Sequence, residues 1–382
     1  MAVGQREAGG HTNTINQRAR RERLVLTLSR VWAWVFLAIV IVFFSISVSL
    51  VSEGSVNFLT LRNSQNILVA ITPVLLMGLG QTFVIIAAGI DLSVGWVMGL
   101  ASVVSALVVR DVFDAGTSLE IAVILGFVAA IAATGLVGFL NGVIIAKLKV
   151  PAFIVTLGSS FVVRGAALLL SGGQTVAGLP GDLRAVGNNS LFYWISGEDG
   201  GLYFLQRPDV SGEALRRMDR VLPWPVIITA IVVAFAIFLL RKTQFGRHTF
   251  AIGGNREAAL RAGIPVDRHI IKLYTMSAIT AGMAGFLSMA RFSGGSPIAG
   301  DPLLLGSIAA VIIGGVSLFG GSGFVTGTII GALIIAVLQT GLVMLSVQPF
   351  WQFVVVGIVV ILAVLIDQAR DIVIGRMEAE RG

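Results

Sequence analysis

From Val31 to Val51 the chain carries an unbroken apolar run, long enough to cross a bilayer and too long for the core of a signal peptide. Runs of the same character follow at Ile67–Ala88, Ser93–Val109, Leu119–Ala146, Ala152–Ser171, Trp224–Leu240, Ile271–Ala290, Leu303–Phe319, Val325–Val347 and Trp351–Ile366. Together they predict an all-α polytopic membrane protein of about ten transmembrane helices. Pro73 lies inside the second run, and Gly89–Gly95 separates it from the third, so these two also read as one broken element. A broken helix is tolerated in a membrane only where protein covers it or water lines it. The polar stretches between the runs divide the chain into a basic arm (1–30), a transmembrane domain (31–367) and a tail (368–382). Within the domain lie a long loop at 172–223 and a second polar segment at 241–270.

That second segment, part of the basic island Arg241–Lys272, carries its own helix signals. Asn255 is a capping residue for a short helix over Arg256–Ala262; Gly263 stands at the stop and Pro265 two residues on. A helix of about seven residues is about 10 Å long and does not hold in water by itself. It must rest on another surface, and a second protein is the expected one.

Composition fixes the solvent. The chain is 56% hydrophobic and 12% charged with a mean hydropathy of +0.92, far from the balance of a water-soluble domain. Its net charge of +7 does not call for a nucleic-acid partner, because the positive residues gather where cytoplasmic segments belong. An even number of spans puts the Arg-rich arm, Lys147 and Lys149, the island and the tail on the cytoplasmic side. The island has seven Lys/Arg against Glu257 and Asp267, whereas loop 172–223 balances five Arg with six acids. Both termini are therefore expected inside. With no cysteine there is no disulfide or thiolate chemistry, and His11, His248 and His269 show no metal-ligand spacing. The two island histidines are expected to face solvent or headgroups.

No Gly-x-x-x-x-Gly-Lys-Ser/Thr stretch is present, so this chain is not expected to hydrolyse a nucleotide, and no catalytic constellation stands out. Asp91 is the acid most deeply set in apolar surroundings. It reads either as a pathway or gate residue or, with Ser93, as a cap for the helix restarting at Val94; the cap is the preferred reading. Arg164 reads as a snorkelling or ion-paired structural residue. Asn141, Thr156 and Gln339 are uncharged candidates for a solute path, with interhelical hydrogen bonding as their alternative role. VIIAAGIDLSVG at 84–95 echoes VIIGGVSLFGG at 311–321, which suits either an internal repeat or shared turn chemistry.

Within the island, Glu257-Ala258-Ala259 with Gly263 gives E-A-A-x-x-x-G, which resembles the cytoplasmic loop by which ABC importer permeases dock on their ATPase. AAGIDLSVG, GFLNGVIIAKLKVPAFIVTLG, FGRHTFAIGGNREAALRAGIPV, SIAAVIIGGVSLFGGSG and PFWQFVVVGIVVILAVLID occur in order. Together these blocks resemble the permease subunit of ribose-type monosaccharide ABC importers. The resemblance implies a type II importer-like fold in a bacterial cytoplasmic membrane and transport of a monosaccharide or related small polar solute. It also implies a second permease subunit, a periplasmic or lipid-anchored sugar-binding protein, and cytoplasmic ATPase subunits that hold ATP and Mg, this chain carrying no cofactor. Asn255, Arg256, Glu257, Ala258, Ala259 and Gly263 would then make mechanical contact with the ATPase. Leu303-Leu304-Leu305-Gly306-Ser307 stands where many relatives carry acids, and loop 172–223 is longer than usual; both leave the solute open. The rival reading is an ion-gradient-driven secondary transporter, for which Asp91 is the one suitable carboxylate.

Overall fold

The computed structural model describes residues 32–197, 200–210, 212–348 and 350–365, apart from 360, 363 and 364. The basic arm, the tail and the end of the last predicted span lie outside the described residues. Eight described helices are long and apolar enough to cross a membrane. They are α1 (Trp32–Val51), α2 (Leu61–Ile86), α3 (Val94–Asp114), α4 (Leu119–Lys147), α5 (Ala152–Ser171), α8 (Trp224–Lys242), α11 (Val266–Phe292) and α13 (Val325–Met344). Two shorter apolar helices, α12 (Leu304–Ile313) and α14 (Phe350–Val359), account for the remaining predicted spans.

α2 and α11 form the centre: 83% and 67% of their most apolar stretches are buried, against 22% for α1, α4 and α8. The outer helices present Ile124, Val128, Ile231 and Phe235 outward, as lipid contact requires. Small residues set the close approaches. Gly138 and Gly142 of α4 face the backbone of α11 at Tyr274 and Ile271, and Gly341 of α13 leaves room for the Phe44 ring of α1.

Pro73 does not break α2. Its ring nitrogen cannot bond the carbonyl of Val69, but the Thr72 hydroxyl donates to that oxygen at 2.9 Å, so the helix continues to Ile86. The predicted break after it is present. Residues 87–93 are non-helical before α3 begins, with Asp91 and Ser93 buried in protein and Ala88 exposed. The predicted span Leu303–Phe319 is corrected: after Ile313 the chain leaves the helix and turns through 314–324. The chain leaves the helix at Gly315, whose φ is +81°, while Gly314 packs directly on the backbone of Gly327. The echoing sequences share one turn. Ala88 and Gly315 are both left-handed, and the next amides, Gly89 and Val316, reach back to Val84 and Val311 at 2.9 and 3.2 Å. The two turns meet where Gly321 donates to the Ile86 carbonyl at 2.8 Å.

The segment expected as a long loop folds into a small layer over one end of the bundle. It contains α6 (Leu183–Asn188), β1 (Ser190–Ile195), β2 (Gly201–Phe204), α7 (Gly212–Arg216) and β3 (Met218–Pro223), the strands pairing antiparallel in the order β2-β1-β3. Its small core is Tyr193, Ile195 and Met218. Asn188 Nδ2 donates to the Arg291 carbonyl at 2.8 Å, and Arg62 pairs with Asp219 at 3.4 Å, fixing the layer to the ends of α11 and α2.

Candidate functional site

Two places in the fold gather the polar residues that an apolar bundle does not need for packing. The first is built on the break between α2 and α3. Asp91, 1% exposed, accepts at Oδ1 from the Ser93 amide (3.0 Å) and hydroxyl (2.6 Å), and at Oδ2 from the Ser277 hydroxyl of α11 (2.8 Å). Asn141 of α4 donates to Ser93 Oγ at 3.2 Å. Gln81 of α2 donates to the Asp91 carbonyl, and Tyr274 of α11 reaches the Ile90 carbonyl at 3.5 Å. The Thr156 hydroxyl of α5 bonds the Ala152 carbonyl at 2.9 Å and stands 3.4 Å from that of Ile90.

Asp91, Ser93, Asn141 and Thr156 thus come together. Ser93 is the residue before α3, yet its own side chain makes no cap bond; the Asp91 carboxylate takes the Ser93 amide instead. Gln339 does not join them, because α13 packs chiefly on α2, α12 and α8. Asn141 lies six residues before the end of α4, about 9 Å along the helix, so the node sits toward one end of the bundle and not at its middle. Sequence reasoning missed Gln81, Ser277 and Tyr274, which are ordinary polar residues in apolar runs until the fold brings Ser277 to the Asp91 carboxylate and Gln81 and Tyr274 to the backbone carbonyls of Asp91 and Ile90.

The second place is that same end of the bundle. α8 turns sharply into α9 (Gln244–Gly254), a helix within the segment expected to be a loop, and then into α10 (Arg256–Arg261). Asn255 Oδ1 accepts from the Ala258 amide at 2.9 Å, as its capping role predicts. At the other end Gly263 has φ +79°, its amide reaches Leu260 O at 3.0 Å, and Ile264 N reaches Ala259 O at 3.1 Å, a complete Schellman turn. The pair is pinned to the bundle. Gly253 packs against Ile86 and Gly321, while Thr249 bonds His269 Nε2 of α11 at 2.8 Å with Phe245 beside the ring at 4.4 Å. His269 is therefore buried at 4% exposure, correcting the expectation that it faces solvent; an imidazole can be buried because the threonine hydroxyl satisfies it.

Ala259 is also turned inward, at 3% exposure, so it does not present a small face to a partner. The outward ridge of α10 is Arg256, Glu257, Ala258, Leu260 (52% exposed) and Arg261. Glu257 and Arg261 pair at 3.6 Å across one turn, but both are over four-fifths exposed and the pair adds little stability. At the opposite end an open cleft of ≈ 450 Å³ lies between α2 and the small layer, with Arg62, Arg207, Arg220 and Arg291 on its walls. Among the described residues no group of three or more His, Cys, Asp or Glu is placed to hold a metal.

A bundle with a broken, packed element at its centre and a capped helix pair pinned to one end is the architecture of a membrane permease. Residues 63–364 match the family model described as branched-chain amino acid transport system / permease component, and the chain belongs to that family. It is similar to the ribose import permease protein RbsC of Bacillus subtilis (strain 168), 38% identical over 85% of this chain and 91% of the relative. It is similar also to RbsC of Escherichia coli (strain K12), 35% identical over 85% and 92%. A third relative is the xylose transport system permease protein XylH of Haemophilus influenzae (strain ATCC 51907 / DSM 11121 / KW20 / Rd), 36% identical over 86% and 93%. No solved structure matches.

Proposed function

We propose that this chain is the membrane permease subunit of an ATP-driven importer that passes a monosaccharide or related small polar solute into the cytoplasm. The observation that carries the reading is α10: a short helix capped at both ends, exposed along one ridge and held rigidly on α2 and α11 through α9. A cytoplasmic ATPase holding ATP and Mg would seat on that ridge. The curated relatives' names, ribose and xylose permeases, support a sugar as the solute.

In this reading the end bearing α9 and α10 is cytoplasmic, as are both termini, and the small layer with its arginine-walled cleft is outside. A periplasmic or lipid-anchored binding protein would deliver solute to that outer end, and a second permease subunit, identical or paralogous, would complete the path. Displacement of α10 would reach the Asp91 node by two packed routes, through Gly253 to the end of α2 and through Thr249–His269 to α11. ATP moves the permease only as far as the ATPase prefers one of its conformations over the other.

The test is co-purification of the ATPase with ridge variants. Leu260→Asp should insert normally and lose the ATPase. Ala259→Trp should instead lower the yield of folded permease, since the indole has no space between α10 and the bundle. Full ATPase recovery with Leu260→Asp would remove α10 as the docking element.

A further inference from the structure

The polar node is a poor lining for a solute path, because Asp91, Ser93, Asn141 and Thr156 are buried and bonded within the chain, although Gln81 Oε1 stays unpaired. Two other charged residues inside the membrane are not so occupied. Gly95, in the first turn of α3, packs against Gly300, Gly99 against Pro297, and Gly295 against Ser102 and Ala106. The segment 295–304 therefore runs down α3 from its outer part to its beginning. Arg110 marks the outer end of α3, where it approaches Gly178 of the layer. Gly95 is fifteen residues below it, about 22 Å. The ten residues of α12 then continue about 15 Å further, to the end that carries α10. Asp301, next to Gly300, thus lies well inside the bilayer, and it is exposed. It belongs to a 3-10 turn, Asp301–Leu303, and among the described residues enters no ion pair.

Arg164 is at the same depth. It stands on α5 two turns beyond Thr156, is exposed, and lays its guanidinium over Trp96 at 4.6 Å from the ring centre. It too enters no ion pair among the described residues, so the expected ion-paired arginine is a stacked one. Trp96 follows Gly95, about 100° further round α3, so α5 and segment 295–304 flank the same first turn of that helix. Exposed charges at this depth are not tolerated against lipid tails; they face water or protein.

We propose, on the importer reading above, that the surface formed by Arg164 of α5 and the exposed Ile298, Asp301, Pro302 and Leu305 faces the aqueous path of the solute, with Arg164 and Asp301 as its solute-contacting groups. One cation and one anion leave the surface without net charge, which suits a neutral polyhydroxy solute. The guanidinium donates to, and the carboxylate accepts from, neighbouring hydroxyls.

The cysteine-free sequence allows a direct test in the assembled transporter with its ATPase and binding protein. Asp301→Cys and Arg164→Cys are exposed to a charged methanethiosulfonate reagent on open membranes, with Ile231→Cys and Phe235→Cys of α8 as lipid-facing controls. Both should react at least about tenfold faster than the controls, since thiol modification by a charged reagent requires water. Reaction no faster than the controls would overturn the proposal. Leu305→Cys, on the same exposed side, gives the same decision if Asp301→Cys does not fold. The rate at 301 should also differ several-fold between the nucleotide-free and ATP-trapped transporter. Equal rates would overturn the solute role, whereas failure of the unmodified chain to recover an ATPase would count against the importer reading alone.

Discussion

Asp91→Ala strips the node of the carboxylate that joins α3 to α11. Its two oxygens accept three hydrogen bonds, from the Ser93 amide, the Ser93 hydroxyl and the Ser277 hydroxyl, all buried. Ser277 sits within α11 and its hydroxyl can turn to the carbonyl one turn back; the two Ser93 donors lie in the break and have no such substitute. Leaving a buried donor unpaired costs about 1–3 kcal/mol, so the two amount to about 2–6 kcal/mol. Asp91→Asn keeps one accepting oxygen for Ser93 and turns its amide toward a hydroxyl able to accept, which limits the loss to about 1 kcal/mol. Unfolding of the purified variants in detergent, followed by tryptophan fluorescence, measures both, with solute uptake beside it. If Asp91→Ala unfolds within about 0.5 kcal/mol of the unaltered chain, the node does not hold the break. If Asp91→Asn is fully stable and uptake is abolished, the charge itself serves transport and the structural reading fails.

Topology is tested by single cysteines. Leu202→Cys, on the exposed strand β2, should label from outside intact cells and Gly254→Cys, at the end of α9, should not; the reverse pattern would invert the protein. Leu202 is the better outer position because a side chain at Gly200 would meet the Ile195 carbonyl. Gly263→Val places a branched side chain at φ +79° and should cost about 1–2 kcal/mol locally, read as faster proteolysis or hydrogen exchange of 256–264, whereas Gly263→Asn should be milder. Unchanged exchange in the valine variant would show that the Schellman turn does not hold α10.

Local signals were legible in the sequence where their physics is local. The caps of α10 rest on Asn255 and Gly263, each acting within three or four residues, and both are where the residue types put them. The apolar runs likewise mark their helices. What escaped depends on contacts far along the chain. A helix of six residues has too little periodicity to show that Ala259 points inward and Ala258 outward. His269 looks like any basic-loop histidine until Thr249 is brought beside it. The layer at 172–223 resembles a loop because its strands are four to six residues long and only Tyr193, Ile195 and Met218 form its core. Asp301 carries no mark of its depth in the sequence; the packing of Gly99 on Pro297 and of Gly95 on Gly300 draws its segment down along α3. At the break, the sequence named Asp91 and Ser93, but which helices they join required Ser277 and Asn141 in place.

On the importer reading the chain moves solute at the expense of ATP on a partner. The most direct test of that reading is uptake into proteoliposomes containing this chain, its ATPase and its binding protein, with ribose and xylose as solutes and ion gradients imposed or collapsed at will. Uptake should require enclosed ATP, persist with every gradient collapsed, and disappear with Leu260→Asp. Uptake driven by a proton or sodium gradient without ATP would contradict the account and establish a secondary transporter in its place.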